Sequence, residues 1–252
     1  AGAILLATEI DLAVHSLKDL PTEWPSGLAL GAIPVREDAR DALVGATVQQ
    51  LLNAPGKLRI GTSSLRRTAQ LRRLLPGCTV ASLRGNIDTR LNKVATGVVD
   101  CAVLAAAGLS RLGLEDRISD FFEPSKMLPP PGQGALALEI RNDDDTLREL
   151  LQAVHCPVTW ACVAAERAFM RQLGGGCQLP VAALAVLDGT TLRLAGRVLS
   201  LDGCEEIAGD QDGSVDEPEE LGRQLANRLL AKGAGALIDG IEESLRQEQK
   251  NG

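Results

Sequence analysis

The sequence predicts an α/β protein of two lobes followed by a small α+β domain, and three features carry that prediction. Up to residue 154, short apolar runs of strand type alternate with helical runs. Two stretches break the alternation. One is the charged segment 36–41, and the other is LPPPGQG at 128–134, whose prolines suit neither a helix nor a central strand. Both read as crossings between lobes. At Pro157 the pattern changes to one long helix, a meander with Asp-Gly turns and two closing helices. The expected domains are 1–36 with 135–154, then 37–130, then 157–252. The alternation argues for parallel strand–helix units in the first two.

Taken in order, 3–8 reads as the end of a helix and 11–15 (DLAVH) as a short strand. The strand runs into Ser16-Leu17-Lys18-Asp19-Leu20-Pro21, a polar loop at a carboxyl end, where open α/β sheets bind ligands. Lys18 and Asp19 are either a surface ion pair worth little or an anion-binding ammonium beside an acid–base carboxylate. Strands follow at 28–34 and 42–45, then a helix at 48–52. Two strand-to-helix units come next, 59–62 into 65–75 and 79–83 into 87–95. The small residues of 101–105 form a buried strand, and Ala106-Ala107-Gly108 allows close approach. Short helical pieces are expected at 110–114 and 117–122, a strand at 135–140 and a helix at 143–154. The last domain reads as helix 158–173, a glycine loop at 174–180, strands 181–187 and 191–198, a weak strand at 205–210, and helices 217–232 and 236–247. Asp188-Gly189 and Asp202-Gly203 mark the hairpin turns.

Composition narrows the function. The 252 residues carry a net charge of −7, no Tyr, three Phe and two Trp. Nucleic-acid binding is disfavoured, because it calls for basic surfaces and aromatic platforms. No apolar run is long enough to span a bilayer. The six cysteines form no CxxC pair and no ligand spacing with His15 or His155, so neither a disulfide framework nor a metal site is expected. A reducing cytoplasm is the default location.

Against that acidic background, residues 57–93 hold nine Lys or Arg and one acid, a local charge of about +8. Thr62, Ser63 and Ser64 are good N-caps for the helix that Pro76-Gly77 stops. Arg66 and Arg67 therefore lie in a first helical turn, where cations are disfavoured unless an anion is bound. Arg84-Gly85-Asn86 forms the second turn, with Arg90 in the first turn of the next helix. Two junctions thus present arginines to one cleft suited to carboxylates or phosphates. Arg72 and Arg73, mid-helix, read as solvated surface. Cys177, on the triple-glycine loop, is either an inert small residue or a nucleophile or covalent attachment point.

Seven motifs then occur in order: HSLKDLP (15–21), GTSSLRR (61–67), LRGNIDTRL (83–91), LAAAGLSRLG (104–113), PGQGAL (131–136), AERAFM (165–170) and GGGCQLPV (174–181). Together they closely resemble the porphobilinogen deaminase (hydroxymethylbilane synthase) family over nearly the whole chain. The resemblance implies two lobes of the type II periplasmic-binding kind, the first incomplete, plus a small third domain with a three-stranded antiparallel sheet. It implies joining of four porphobilinogen molecules into hydroxymethylbilane with release of ammonia, on a covalently held dipyrromethane cofactor. Cys177 would be the thioether anchor and Asp19 the catalytic carboxylate facing pyrrole nitrogens. Lys18, Ser64, Arg66, Arg67, Arg84, Gly85 and Arg90 would bind the cofactor. Arg66, Arg84, Arg90, Arg111 and Gln133 would bind substrate. The partners would be porphobilinogen and the growing oligopyrrole, and the protein a cytoplasmic monomer.

The chemistry agrees with the residues. Each pyrrole brings two carboxylates, so a growing chain needs many cations, and a carboxylate beside a ring N–H stabilises the charge left when ammonia departs. One departure is that family members carry about 65 further residues before the position of Ala1, too many for a mere connection. The alternative expectation is therefore a fragment of the same fold that binds anions without turnover.

Overall fold

The computed structural model describes residues 2–22, 24–174 and 179–251. Among them, the strands form three sheets. The first is antiparallel, with β1 (Ala13–Ser16) and β2 (Leu28–Ala32) flanking β8 (Leu136–Arg141). α1 (Gly2–Leu6) and α6 (Asp145–Leu151) accompany it.

The second sheet has five strands in the order β5-β4-β6-β3-β7. β4 (Arg59–Gly61) runs parallel to β5 (Thr79–Ala81) and to β6 (Cys101–Ala105). β3 (Asp41–Val44) is antiparallel to β6 and to the edge strand β7 (Asp120–Phe122). Helices α2 (Val48–Asn53), α3 (Leu65–Leu74), α4 (Ile87–Ala95) and α5 (Ala106–Ser110) complete this lobe. Its core is built on Leu43, Ile60, Leu71, Val103, Phe122 and Met127. Each large side chain buried there contributes roughly 1.5–3 kcal/mol.

The chain crosses between these sheets twice, from β2 to β3 and from β7 back to β8. Both crossings are tied down. Arg36 donates from Nη1 and Nη2 to the Glu166 carboxylate at 2.6 and 3.1 Å, and from Nε to the Gln133 carbonyl at 2.8 Å. Glu166 also accepts from the Gly132 and Ala185 amides.

The third sheet is a meander of β9 (Val181–Asp188), β10 (Thr191–Leu199) and β11 (Glu206–Ser214), paired in antiparallel order. It packs on α7 (Pro157–Gln172) and α8 (Pro218–Ala231), with α9 (Ala234–Asn251) closing the chain. Phe169 fills this core, and at Gly196 a Cβ would come within 2.6 Å of its ring.

Several expectations are corrected. The first sheet is antiparallel, and among the described residues only β4, β5 and β6 make parallel pairs, because strands that enter a lobe by a crossing need not follow the strand–helix–strand rule. Residues 110–114 and 117–122 are not two helical pieces. The helix is α5, a 3₁₀ turn spans Glu115–Arg117, and 120–122 is strand, captured by the open edge of β3 with Phe122 fully buried. The weak last strand is nine residues long and pairs along the whole of β10.

Candidate functional site

The parallel strands β4 and β5 end at one edge of the five-stranded sheet, and α3 and α4 start there. Ser64 caps α3 by accepting from the Arg67 amide, and Asn86 caps α4 by accepting from the Thr89 amide. Gly85 takes φ +116°, and a Cβ there would lie 2.8 Å from the Thr89 side chain, so the turn requires glycine. β3 is antiparallel, which brings its first residue, Asp41, to the same edge opposite Ala105. The 3₁₀ turn Leu17–Asp19 faces it from the other lobe.

Between these elements lies a cleft of about 570 Å³ lined by Lys18, Asp19, Ser64, Arg66, Arg67, Arg84 and Gln133, among others. The structure thus brings together seven of the residues singled out from the sequence. Gly85, Arg90 and Arg111 do not line it. Arg90 Nε donates to the Gly85 carbonyl at 2.8 Å, and Arg111 Nη2 donates to the Gly134 carbonyl at 2.7 Å. Cys177 lies outside the described residues, while Leu179 lines the cleft. A larger groove of about 660 Å³ in the C-terminal domain, lined by Asp202, Glu205 and Lys232, contains no arginine.

Arg66 and Arg67 are buried, at 4% and 6% exposure. Arg66 donates to the Leu128 carbonyl at 2.7 Å and to Asp41 Oδ2 at 2.8 Å. Arg67 donates to Asp41 Oδ1 from Nε at 3.0 Å and Nη2 at 2.7 Å, and to the Val103 carbonyl at 2.9 Å. Most of their forks are therefore engaged within the protein. Arg66 Nε is buried without a hydrogen-bond partner among the described residues. Such an atom is costly unless a ligand satisfies it. Arg84 is exposed, and no hydrogen bond or ion pair from its guanidinium is seen among the described residues.

Lys18 does not pair with Asp19. Its Nζ donates to Gln133 Oε1 at 3.2 Å, and the Gln133 amide donates in turn to Asp41 Oδ1 at 2.9 Å and the Ala39 carbonyl at 2.7 Å. Burial and the Arg67 guanidinium bring the Lys18 ammonium down to about 8, with Asp19 and Asp41 acting in the opposite sense. Burial alone would raise the Asp41 carboxyl, but Arg66 and Arg67 hold it well below the usual carboxylate range. Burial lowers Arg66 to about 10 and also lowers Arg90, where Arg67 adds to the effect.

Asp41, which joins Arg66, Arg67 and Gln133 at the cleft, is the residue that sequence reasoning missed. It ends the charged segment 36–41, which reads as a crossing between lobes. The available signal was an acid opening a wholly apolar strand, Ala42-Leu43-Val44.

Residues 2–149 match the family model for "Porphobilinogen deaminase, dipyromethane cofactor binding domain", and residues 160–231 match "Porphobilinogen deaminase, C-terminal domain". The porphobilinogen deaminase of Thermus thermophilus is 50% identical over 93% of this chain and 78% of its own length. That of Syntrophobacter fumaroxidans is 46% identical over 94% of this chain and 77% of its own. That of Deinococcus radiodurans is 48% identical over 95% and 78%. A solved TRAP periplasmic solute binding protein from Desulfovibrio salexigens aligns with a TM-score of 0.41 and 13% identity, over 62% of this chain and 57% of that one. With both of its family models matched and its relatives nearly half identical along its length, the chain belongs to the porphobilinogen deaminase family.

Proposed function

We propose that the cleft between the Lys18–Asp19 turn and the α3 and α4 N-termini is the site at which the chain condenses porphobilinogen into hydroxymethylbilane. The chain is a transferase of tetrapyrrole biosynthesis that works with a dipyrromethane cofactor. The observation that supports placing the chemistry here is the donor set. Lys18, Arg66, Arg67 and Arg84 converge on one cleft, and Arg66 Nε has no partner among the described residues. A polycarboxylate fits such a set.

In this reading Lys18, Ser64, Arg66, Arg67, Arg84, Gly85 and Arg90 hold the cofactor. Arg66, Arg84, Arg90, Arg111 and Gln133 hold substrate. Dipyrromethane, when bound, supplies the pyrrole terminus from which the chain grows. Cys177 is its anchor, a role supported by the family motif and by Leu179, two residues further on, lining the cleft. Arg90 and Arg111 are each held by one backbone carbonyl, which leaves further guanidinium donors for carboxylates.

Asp19 is the acid–base residue. It lines the cleft, and no hydrogen bond or ion pair of its carboxylate is seen among the described residues. A free carboxylate there stabilises the positive charge that develops as ammonia leaves porphobilinogen, and takes the proton released when the new bond forms. In the same reading the domains are 1–36 with 135–154, then 37–130, then 157–252. Monomeric, cytoplasmic operation belongs to the same proposal, and sedimentation velocity checks its first part. Among the described residues no helix is long and apolar enough to cross a membrane.

Intact mass under denaturing conditions tests the anchor. An added mass of two pyrrole units is expected on the chain and not on Cys177→Ser, and the same adduct on both would overturn the assignment. For Asp19→Asn, porphobilinogen binding should persist while turnover falls by about 10²–10⁴-fold.

A further inference from the structure

Asp41 is fully buried, yet it serves four donors from three side chains. Arg66 and Arg67 each have a second anchor in a backbone carbonyl, so both forks are fixed at two points. Two adjacent guanidiniums at a helix N-terminus repel one another and the helix dipole, and a carboxylate between them offsets both effects. Gln133 extends the arrangement. Its NH₂ is committed to Asp41 and the Ala39 carbonyl, which leaves its oxygen to accept from Lys18. With no carboxylate at 41, the amide is free to flip and to present a donor to the ammonium.

We propose that Asp41 is a positioning residue for the reaction, holding Arg66, Arg67 and, through Gln133, Lys18 as one preassembled cation cluster for the ligand's carboxylates. This rests on the assignment of those cations to carboxylate binding made above. The charged groups that act on Lys18 are Asp19 on its own turn, Arg66 and Arg67 on α3 and Asp41 on β3. Removing the Asp41 charge leaves the two arginines opposed by Asp19 alone, and the Lys18 ammonium becomes easier to deprotonate.

The test uses the full chain and its Asp41→Asn, Asp41→Glu, Gln133→Met and Lys18→Met variants. Two quantities are read: porphobilinogen affinity against pH by calorimetry, and the pH midpoint of Lys18 acetylation by peptide mass. The native midpoint is expected near 8. Asp41→Asn should lower it by about one pH unit and weaken binding about tenfold at pH 7.5. Gln133→Met should shift it the same way by less, and Asp41→Glu should restore part of the shift. A folded Asp41→Asn with native midpoint and affinity would overturn the proposal. If Asp41→Asn does not fold, native values for Gln133→Met overturn it equally. Native affinity in Lys18→Met would instead sink the underlying assignment of Lys18. Damage confined to Lys18→Met would leave that assignment standing and remove only the role of Asp41.

Discussion

Helix α3 carries Leu-Arg-Arg twice, at 65–67 and 71–73, and the two pairs have opposite fates. Six residues at about 100° each bring the second pair roughly 120° around the helix from the first. The first pair faces the sheet edge and is sealed around Asp41. The second is exposed and reaches the third domain, with Arg72 Nη1 donating to the Leu201 carbonyl at 2.7 Å and Arg73 Nε 2.9 Å from Glu206. Solvated surface, the expectation for Arg72 and Arg73, is therefore only half of their role: they face water and also dock a domain. Gly203 shares that contact, since a Cβ there would lie 2.5 Å from the Ala69 carbonyl. The same dipeptide is thus a fixed internal structure on one face of a helix and an adjustable surface link on another. What separates them is desolvation, which makes each missing partner costly inside and cheap outside.

The largest loss is expected for Asp41→Ala. It strands two buried guanidiniums and should cost about 3–5 kcal/mol by urea unfolding. Next comes Arg67→Lys, where an ammonium cannot reproduce three fork-shaped bonds. About 2 kcal/mol is expected there, against less than about 0.5 kcal/mol for Arg73→Lys. A pH experiment probes the charge balance of the first cluster. Lys18 stands near 8 in the fold and at 10.5 as a free side chain. Between those values the unfolded chain holds the proton and the folded chain does not, so stability should rise with pH across that window. Lys18→Met should flatten the slope. Smallest is Arg73→Ala, about 0.2–1 kcal/mol and shrinking as salt is added. A loss from Arg73→Ala as large as that from Asp41→Ala would refute the contrast.

The arginine cleft was legible because it is written in local chemistry: N-caps, a stop signal and a charge excess within 37 consecutive positions, 57–93. α4 and β6 match their expected ends for the same reason. Asp41 was not legible because its role depends on strand direction. In a parallel β3 of four residues it would stand at the far edge of the sheet, displaced by roughly 10 Å from the end where the arginines lie. Strand direction in turn follows from the crossings, which bring together segments that no local pattern relates. The 120–122 strand was missed likewise, since the β3 edge that captures it lies some 80 residues earlier.

Glu166 carries a consequence for how the chain reaches this state. Its carboxylate is satisfied by partners 130, 34 and 19 positions away, drawn from both crossings and from β9. Until all of these have met, a side chain with no exposure in the finished fold has no reason to leave water. Contacts of such span are slow to form, because the loops between them must close before anything is gained. Docking of the third domain is therefore a late event, and changes at Glu166 should speed unfolding far more than they slow folding.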